Sequence, residues 1–328
     1  MDLAADYFAR HQSADGYWRD FQTLAGESTE WVTGYCAAIL AHLRLAPEPL
    51  ERATRALVGS ARRNGGWGYH AGVPTDADST AYVLHFLGTR LPHHAVVTSG
   101  LDSLVRAQAP ATGGVPTYCS AAPIRQFMGL PDHFEIQGWC SPHVEVTAAA
   151  GLAFAQSSNH AAHASRAWSF LASRQRGDGL WHSYWWNTPL YPTSLACRLG
   201  LALGAIPAVR RAAASVAAWQ AREGGFGLRA GDPPCPFATA LAVQVLRSAG
   251  AHDGALARGC RWLADHQQPD GAWDSEPVLC IPHPERLEPG PGDPWRVDAL
   301  GTGVVLRDQH RLYTTATCVA ALGTEPVA

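Results

Sequence analysis

The densest acid–base chemistry in the sequence lies in Asp76-Ala77-Asp78-Ser79-Thr80-Ala81. Two carboxylates stand one residue apart, just ahead of a segment that reads as a buried helix. Crowded carboxylates do not both ionise easily, so one stays protonated and ready to act as a general acid. A helix N-terminus then stabilises the negative charge left behind by the donated proton. The competing reading is helix capping, for which Asp and Ser are preferred. Capping needs one such residue, and three are present.

Other chemistries are excluded by composition. All 25 basic residues of the 328 are arginine, because the chain contains no lysine. Schiff-base chemistry, pyridoxal phosphate attachment and a phosphate-binding P-loop are therefore ruled out. No GxSxG, HExxH or GxGxxG pattern occurs. With 28 acidic residues the net charge is −3, which argues against nucleic acid as a partner. Eight cysteines include no CxxC pair, and Met1-Asp2-Leu3-Ala4-Ala5-Asp6 does not read as a signal peptide, so a reducing, cytoplasmic setting is expected. No apolar run approaches the roughly 18 residues of a membrane span.

The elements that must position the acid come from an internal repeat. Gln12 to Trp18, Gln175 to Trp181 and Gln267 to Trp273 all read Q-x-x-D-G-x-W, and degenerate copies end at Trp67, Val115 and Phe226. The steps between the aromatic or apolar positions 18, 67, 115, 181, 226 and 273 are 49, 48, 66, 45 and 47 residues. Amphipathic segments run into the turns at 50–63, 94–108, 161–175, 208–222 and 254–267. A second, nearly all-apolar helix follows each turn and opens on Thr or Ser, as at Thr33, Thr80, Thr147, Thr193, Thr239 and Thr315. Outer polar helices and inner apolar ones predict an all-α fold, an (α/α)6 double-ring toroid of six hairpins forming a single domain over residues 1–328. The length prior of two domains gives way to that repeat. Asp15, Asp178 and Asp270 in the turns are expected to be structural caps.

Three places depart from the repeat. Repeat two alone has the Asp76/Asp78 pair before its inner helix, repeat three carries about twenty extra residues around Phe127 to Phe134, and repeat six has a Pro/Gly-rich insertion from Ser275 to about Leu312. The insertion is expected to fold over one mouth of the ring.

With these features in view, the chain resembles the squalene–hopene cyclases and other class II terpene cyclases. The six Q-G-W turns carry the fold resemblance over nearly the whole sequence. Asp76-Ala77-Asp78-Ser79-Thr80-Ala81 is similar to the family's D-x-D-D-T-A acid motif, which implies that Asp78 is the proton donor, with Asp76 beside it. Ser79 stands where the motif has its third aspartate, removing one negative charge. Leu130-Pro131-Asp132-His133 is similar to an L-P-N-H segment, which implies that His133 supports the acid. The second helical domain of full-length cyclases is not found here, which suggests a shorter substrate.

The function so implied is proton-initiated cyclisation of an isoprenoid or prenylated small molecule. Protonating an alkene requires a strong acid and a dry cavity whose aromatic faces stabilise a cation. Trp31, Tyr82, Trp185, Trp186, Tyr191, Phe237 and Tyr313 fall beside inner-helix starts and are the expected lining. No cofactor or metal is expected, except Mg2+ if the substrate carries a diphosphate. The expected partner is the isoprenoid substrate, with no nucleic acid and no membrane span, and a homodimer is left open.

Three alternatives are weighed beside this reading. A protein prenyltransferase β-like subunit would need zinc ligands where Leu180 and Thr314 stand; Cys280 and His283 form only an isolated pair. A diphosphate-ionising synthase would need adjacent aspartates, and no Asp-Asp occurs. A non-catalytic toroid binding an apolar ligand is the third alternative.

Overall fold

The computed structural model describes residues 1–250, 254–290 and 292–323. Inner helices α2 (Glu30–His42), α4 (Ala77–Arg90), α7 (Val144–Ala155), α9 (Leu190–Ala202), α11 (Pro236–Ser248) and α13 (Leu312–Leu322) each pack on the next, and α13 returns to α2. The ring is closed. Around it stand α1 (Asp2–His11), α3 (Pro47–Ser60), α5 (Ala95–Ala107), α8 (Ala161–Arg174), α10 (Ile206–Ala217) and α12 (Gly254–Asp265). The inner helices are buried on nearly every side, whereas the outer ones bury a single stripe, as their sequences require.

Hydrogen bonds explain why the turns read Q-G-W. The indole N–H groups of Trp18, Trp67, Trp181 and Trp273 donate to Phe8, Leu57, Leu171 and Leu263 carbonyls, each ten residues upstream on the outer helix. The backbone N–H of the same turn position donates to a threonine on the inner helix in all six repeats: Thr33, Thr80, Thr147, Thr193, Thr239 and Thr315. The turn glutamine donates to its own turn and to the next outer helix, as Gln175 does to Gly179 and Ala208 carbonyls. The turns with Gln12, Gln108, Gln175 and Gln220 thus tie three helices each. Gly271 sits at φ +97°, where an added Cβ would lie 2.1 Å from the Leu3 carbonyl oxygen, so only glycine lets the last turn close against the first helix. The turn aspartates cap as expected, with Asp178 and Asp270 each accepting a backbone N–H two residues on.

Three features go beyond the sequence expectation. Helix α1 precedes the first turn and completes the outer ring. The extra residues of repeat three form α6 (Ala121–Met128). Two small sheets appear: the hairpin β1 (Asp20–Thr23) and β2 (Gly26–Ser28), and a three-stranded sheet in the repeat-six insertion, β3 (Leu279–Ile281), β4 (Arg296–Val297) and β5 (Val304–Leu306), in the order β3-β5-β4. The insertion is joined to the 183–187 segment through Cys280 N–H to the Trp185 carbonyl and Asn187 N–H to the Val278 carbonyl, both 2.7 Å. Among the described residues no helix is long and apolar enough to cross a membrane.

Candidate active site

The mouth at the N-terminal ends of the inner helices opens into a cavity of about 420 Å³. Its position follows from the repeat. The residue two before the helix threonine is Trp31, Asp78, Glu145, Tyr191, Phe237 and Tyr313 in the six successive units. Four aromatic side chains and two acids therefore occupy equivalent places around the ring.

Asp76 is the N-cap of α4: its two carboxylate oxygens accept from Ser79 N–H at 2.6 Å and Ser79 Oγ–H at 2.7 Å. Its own N–H donates to the Trp67 carbonyl, and Ala77 N–H donates to the Thr117 carbonyl, so turns on both sides fix the start of α4. Asp78, one residue into the helix, faces the cavity near the Trp31 indole, whose buried N–H makes no hydrogen bond among the described residues. Burial raises its pKa well above the ordinary carboxylate range, helped by the negative charges of Asp76 and then Glu145. Burial also raises Asp76 to about 7, against the opposing hydrogen bonds from Ser79. Capping and acidity are thus divided between the pair: Asp76 and Ser79 hold the helix, and Asp78 keeps a proton over the cavity.

This division has a pH consequence. Ionised Asp76 places a second charge beside Asp78 and makes it a weaker acid. Turnover should accordingly be fullest below pH 7 and fall as Asp76 ionises through about 7. Asp76→Asn, which keeps a capping oxygen, should remove that limb from the rate profile. The stability contribution has the same sign: a pKa raised from 3.8 favours the folded state at acid pH, and the benefit is lost as pH rises through about 7.

Of the aromatic residues expected to line the cavity, Trp31, Trp185 and Trp186 do. Tyr82, Tyr191, Phe237 and Tyr313 do not. They are packed beneath it, at most 2% exposed. Tyr82 and Tyr191 share a hydrogen bond, Tyr191 and Tyr313 share another at 2.5 Å, and Trp186 stacks on Tyr191 at 3.8 Å and on Phe237 at 5.4 Å. The hydroxyl chain closes the lumen, so these four make a floor rather than a wall. The remaining wall comes from residues the sequence did not single out, notably Tyr69, Tyr118 and Trp139 in the loops.

The surplus of repeat three reaches the cavity through Ile124, Phe127 and Met128 of α6. His133 does not. Its side chain is exposed on the loop after α6, and none of the described residues hydrogen-bonds to it. The structure does not bring His133 to Asp78: Leu130 packs back on the cluster around Ile124 and Trp139, and the chain from Pro131 to His133 runs out into solvent. His133→Ala should leave turnover within about twofold of wild type, as for other exposed surface positions.

The buried histidine nearby is His143, the N-cap residue of α7, whose ring stacks on Tyr184 at 3.9 Å. Burial lowers its pKa to about 3, so it is neutral and cannot supply a cation to Asp78. Its Nε2–H donates to the Gly138 carbonyl at 2.9 Å, leaving Nδ1 to accept from Thr117 and from the Trp185 indole. Glu145 completes this support. One oxygen accepts from Tyr184 N–H at 2.8 Å, Trp185 N–H at 2.7 Å and Ser183 Oγ–H at 3.3 Å; the other is buried without a partner. Burial raises the Glu145 pKa. Glu145→Ala should cost about 2–4 kcal/mol, by stranding two backbone donors, and should loosen Trp185, whereas Glu145→Gln should restore both; thermal melts check this. Cys280 is buried on β3 while His283 bonds to Thr302 Oγ1, and no group of three His, Cys, Asp or Glu side chains able to hold a metal gathers among the described residues.

Comparison with known proteins agrees with the toroid fold. The squalene-hopene cyclase C-terminal domain family matches residues 124–286. A drimenyl diphosphate synthase from Streptantibioticus cattleyicolor is 30% identical over 234 residues, which are 67% of this chain and 40% of the relative. The chain thus spans well under half the length of that curated relative. A protein of known structure from Actinoplanes is 30% identical with a TM-score of 0.89, covering 98% of this chain and 96% of its own. The type II terpene cyclase MstE from Scytonema is 28% identical with a TM-score of 0.88, covering 98% and 95%. Taken with the closed toroid and the acid at the head of α4, these likenesses establish that the chain belongs to the class II, squalene–hopene cyclase-like terpene cyclases.

Proposed function

We propose that residues 1–328 act as one catalytic toroid that cyclises an isoprenoid or prenylated alkene by protonation. The observation that carries this reading is Asp78, an acid held protonated by burial and charge crowding at the wall of an apolar, tryptophan-lined cavity. The proton of Asp78 adds to one carbon of a substrate double bond, whose π electrons form the new C–H bond and leave a cation on the other carbon. A neighbouring double bond supplies electrons to close the ring. Trp31 and Trp186 stabilise the travelling cation through their ring faces without acting as bases. Loss of one proton ends the sequence, so the overall change is an isomerisation, and Asp78 regains its proton from solvent. No step on this route requires a metal or redox cofactor.

MstE supports the assignment of the acid class. Its structures include an aspartate-to-asparagine variant holding geranylgeranyl dihydroxybenzoate as substrate and an aspartate-to-alanine variant holding merosterolic acid A as product. The reading is tested by incubating the protein with C10 to C30 isoprenoids in deuterated water. A cyclic product carrying one deuterium from the initiating step is expected. Absence of turnover across the panel would leave a binding toroid in place of a cyclase.

A further inference from the structure

We infer that the substrate carries a head group of no more than one negative charge, a prenylated carboxylic acid rather than a prenyl diphosphate, with Arg296 at the rim as the residue that meets it. The inference rests on the cyclase reading of the Asp78 cavity and narrows its substrate class.

Charge around the cavity is the starting point. Its lining includes the carboxyls of Asp76 and Asp78, and no arginine or histidine among the described residues; the chain has no lysine. Residues outside the described ranges, 251–253, 291 and 324–328, contain no arginine either. A diphosphate ester brings two to three negative charges and needs several cationic donors or a metal to neutralise it. Placed over two carboxyls it would also oppose proton release from Asp78, since its charge holds that proton more tightly.

Among the described residues Arg296 is the arginine that bonds to the rim, at Thr302, whose Oγ1 is also in contact with His283. Arg296 on β4 donates from Nη2 to the Thr302 carbonyl at 3.0 Å, and Thr302 and Gly301 both line the cavity. Gly301 is at φ +127°, and a Cβ there would lie 2.9 Å from the same Nη2, so the absence of a side chain lets the guanidinium lie against the rim. Among the described residues nothing else bonds to this exposed guanidinium, which leaves its other donors for a ligand. Arg125, next in sequence to the lining residue Ile124, is held by the Phe134 carbonyl instead. Exposed apolar side chains flank it: Leu24 is 64% and Phe127 40% exposed, and both line the cavity, with Thr23 and Thr302 adding only neutral hydroxyls. An apolar rim with one guanidinium fits an apolar body bearing one carboxylate.

The test uses the full chain with Asp78→Asn, so that binding is read without turnover. Fluorescence of the lining tryptophans is followed on titration with farnesyl diphosphate, with and without Mg2+, with a farnesylated hydroxybenzoic acid, and with its methyl ester. The free acid should bind at least about tenfold more tightly than the diphosphate, and about fivefold more tightly than the ester, as one partly exposed ion pair allows. Adding Arg296→Gln should bring acid and ester within about twofold while leaving the ester's own affinity unchanged. Equal or tighter binding of the diphosphate, with or without Mg2+, overturns the inference. So does an acid-over-ester preference that survives Arg296→Gln. Deuterium-labelled cyclic diphosphate from the wild-type protein would overturn it while sustaining the cyclase reading, whereas failure of all the prenylated ligands to bind would remove both.

Discussion

Asp78→Asn is expected to reduce turnover by about a thousandfold or more, in the upper half of the range for loss of one acid–base group. Such a loss corresponds to at least about 4 kcal/mol of barrier. The amide keeps the shape of the side chain but has no proton acidic enough to give to an alkene. Folding should not suffer, because Asp78 caps nothing: the capping bonds of α4 belong to Asp76 and Ser79. A buried carboxyl with a raised pKa is a stability cost when ionised, so the melting temperature at neutral pH should hold or rise slightly. Kinetics and melts on the same preparation check both halves. Wild-type turnover in the variant would remove the mechanism, and a collapsed melting temperature would show that Asp78 is structural.

Asp76→Asn differs in kind. It perturbs the electrostatics of its neighbour and the alkaline limb, so its effect on rate should be smaller and pH-dependent. That ordering, severe at Asp78 and moderate at Asp76, follows from which carboxyl faces open cavity and which is consumed by the helix cap.

The ring was legible in the sequence because its glutamines, glycines, tryptophans and threonines bond to backbone, and backbone partners recur at a fixed spacing in every unit. The acid was legible because it breaks that pattern in one repeat only. The six hairpins imply a sixth outer helix, but its segment is harder to place because no turn precedes α1, although Ala4, Tyr7 and Phe8 have helical spacing. The identity of the cavity wall was harder to read. Tyr191, Phe237 and Tyr313 do stand at positions equivalent to Trp31 and Asp78, but whether such a residue faces open space depends on what reaches it across the ring. The Tyr82–Tyr191–Tyr313 contacts span 109 and 122 residues and leave no local trace. Glu145 had a signal: it is the one other acid at that repeat position. His133 had only a four-residue likeness, in a segment with no periodicity to fix where it points.

Trp67→Ala should cost about 3–5 kcal/mol for the lost indole, with roughly 1 kcal/mol more for the 2.8 Å bond to the Leu57 carbonyl, which keeps a longer one from Ser60 Oγ–H. Against a total stability of about 5–15 kcal/mol, that brings the protein close to unfolding. Trp67→Phe retains most of the packing and loses the indole bond, so its cost should be nearer 1–3 kcal/mol. Turn two also bears on chemistry, because the Trp67 carbonyl accepts Asp76 N–H at 3.0 Å and its N–H donates to Thr80 Oγ1 at 3.0 Å. When the backbone of this turn shifts, the start of α4 and the Asp78 carboxyl shift with it. Phe226→Ala is the matched control. Its N–H makes the same bond to Thr239, but repeat five contributes no residue to the cavity lining. Both alanine variants should lower the urea midpoint, and kcat measured where each is still folded should drop several-fold only for Trp67→Ala. An equal drop in both would mean that activity tracks global stability, with no particular tie between the second turn and the acid it positions.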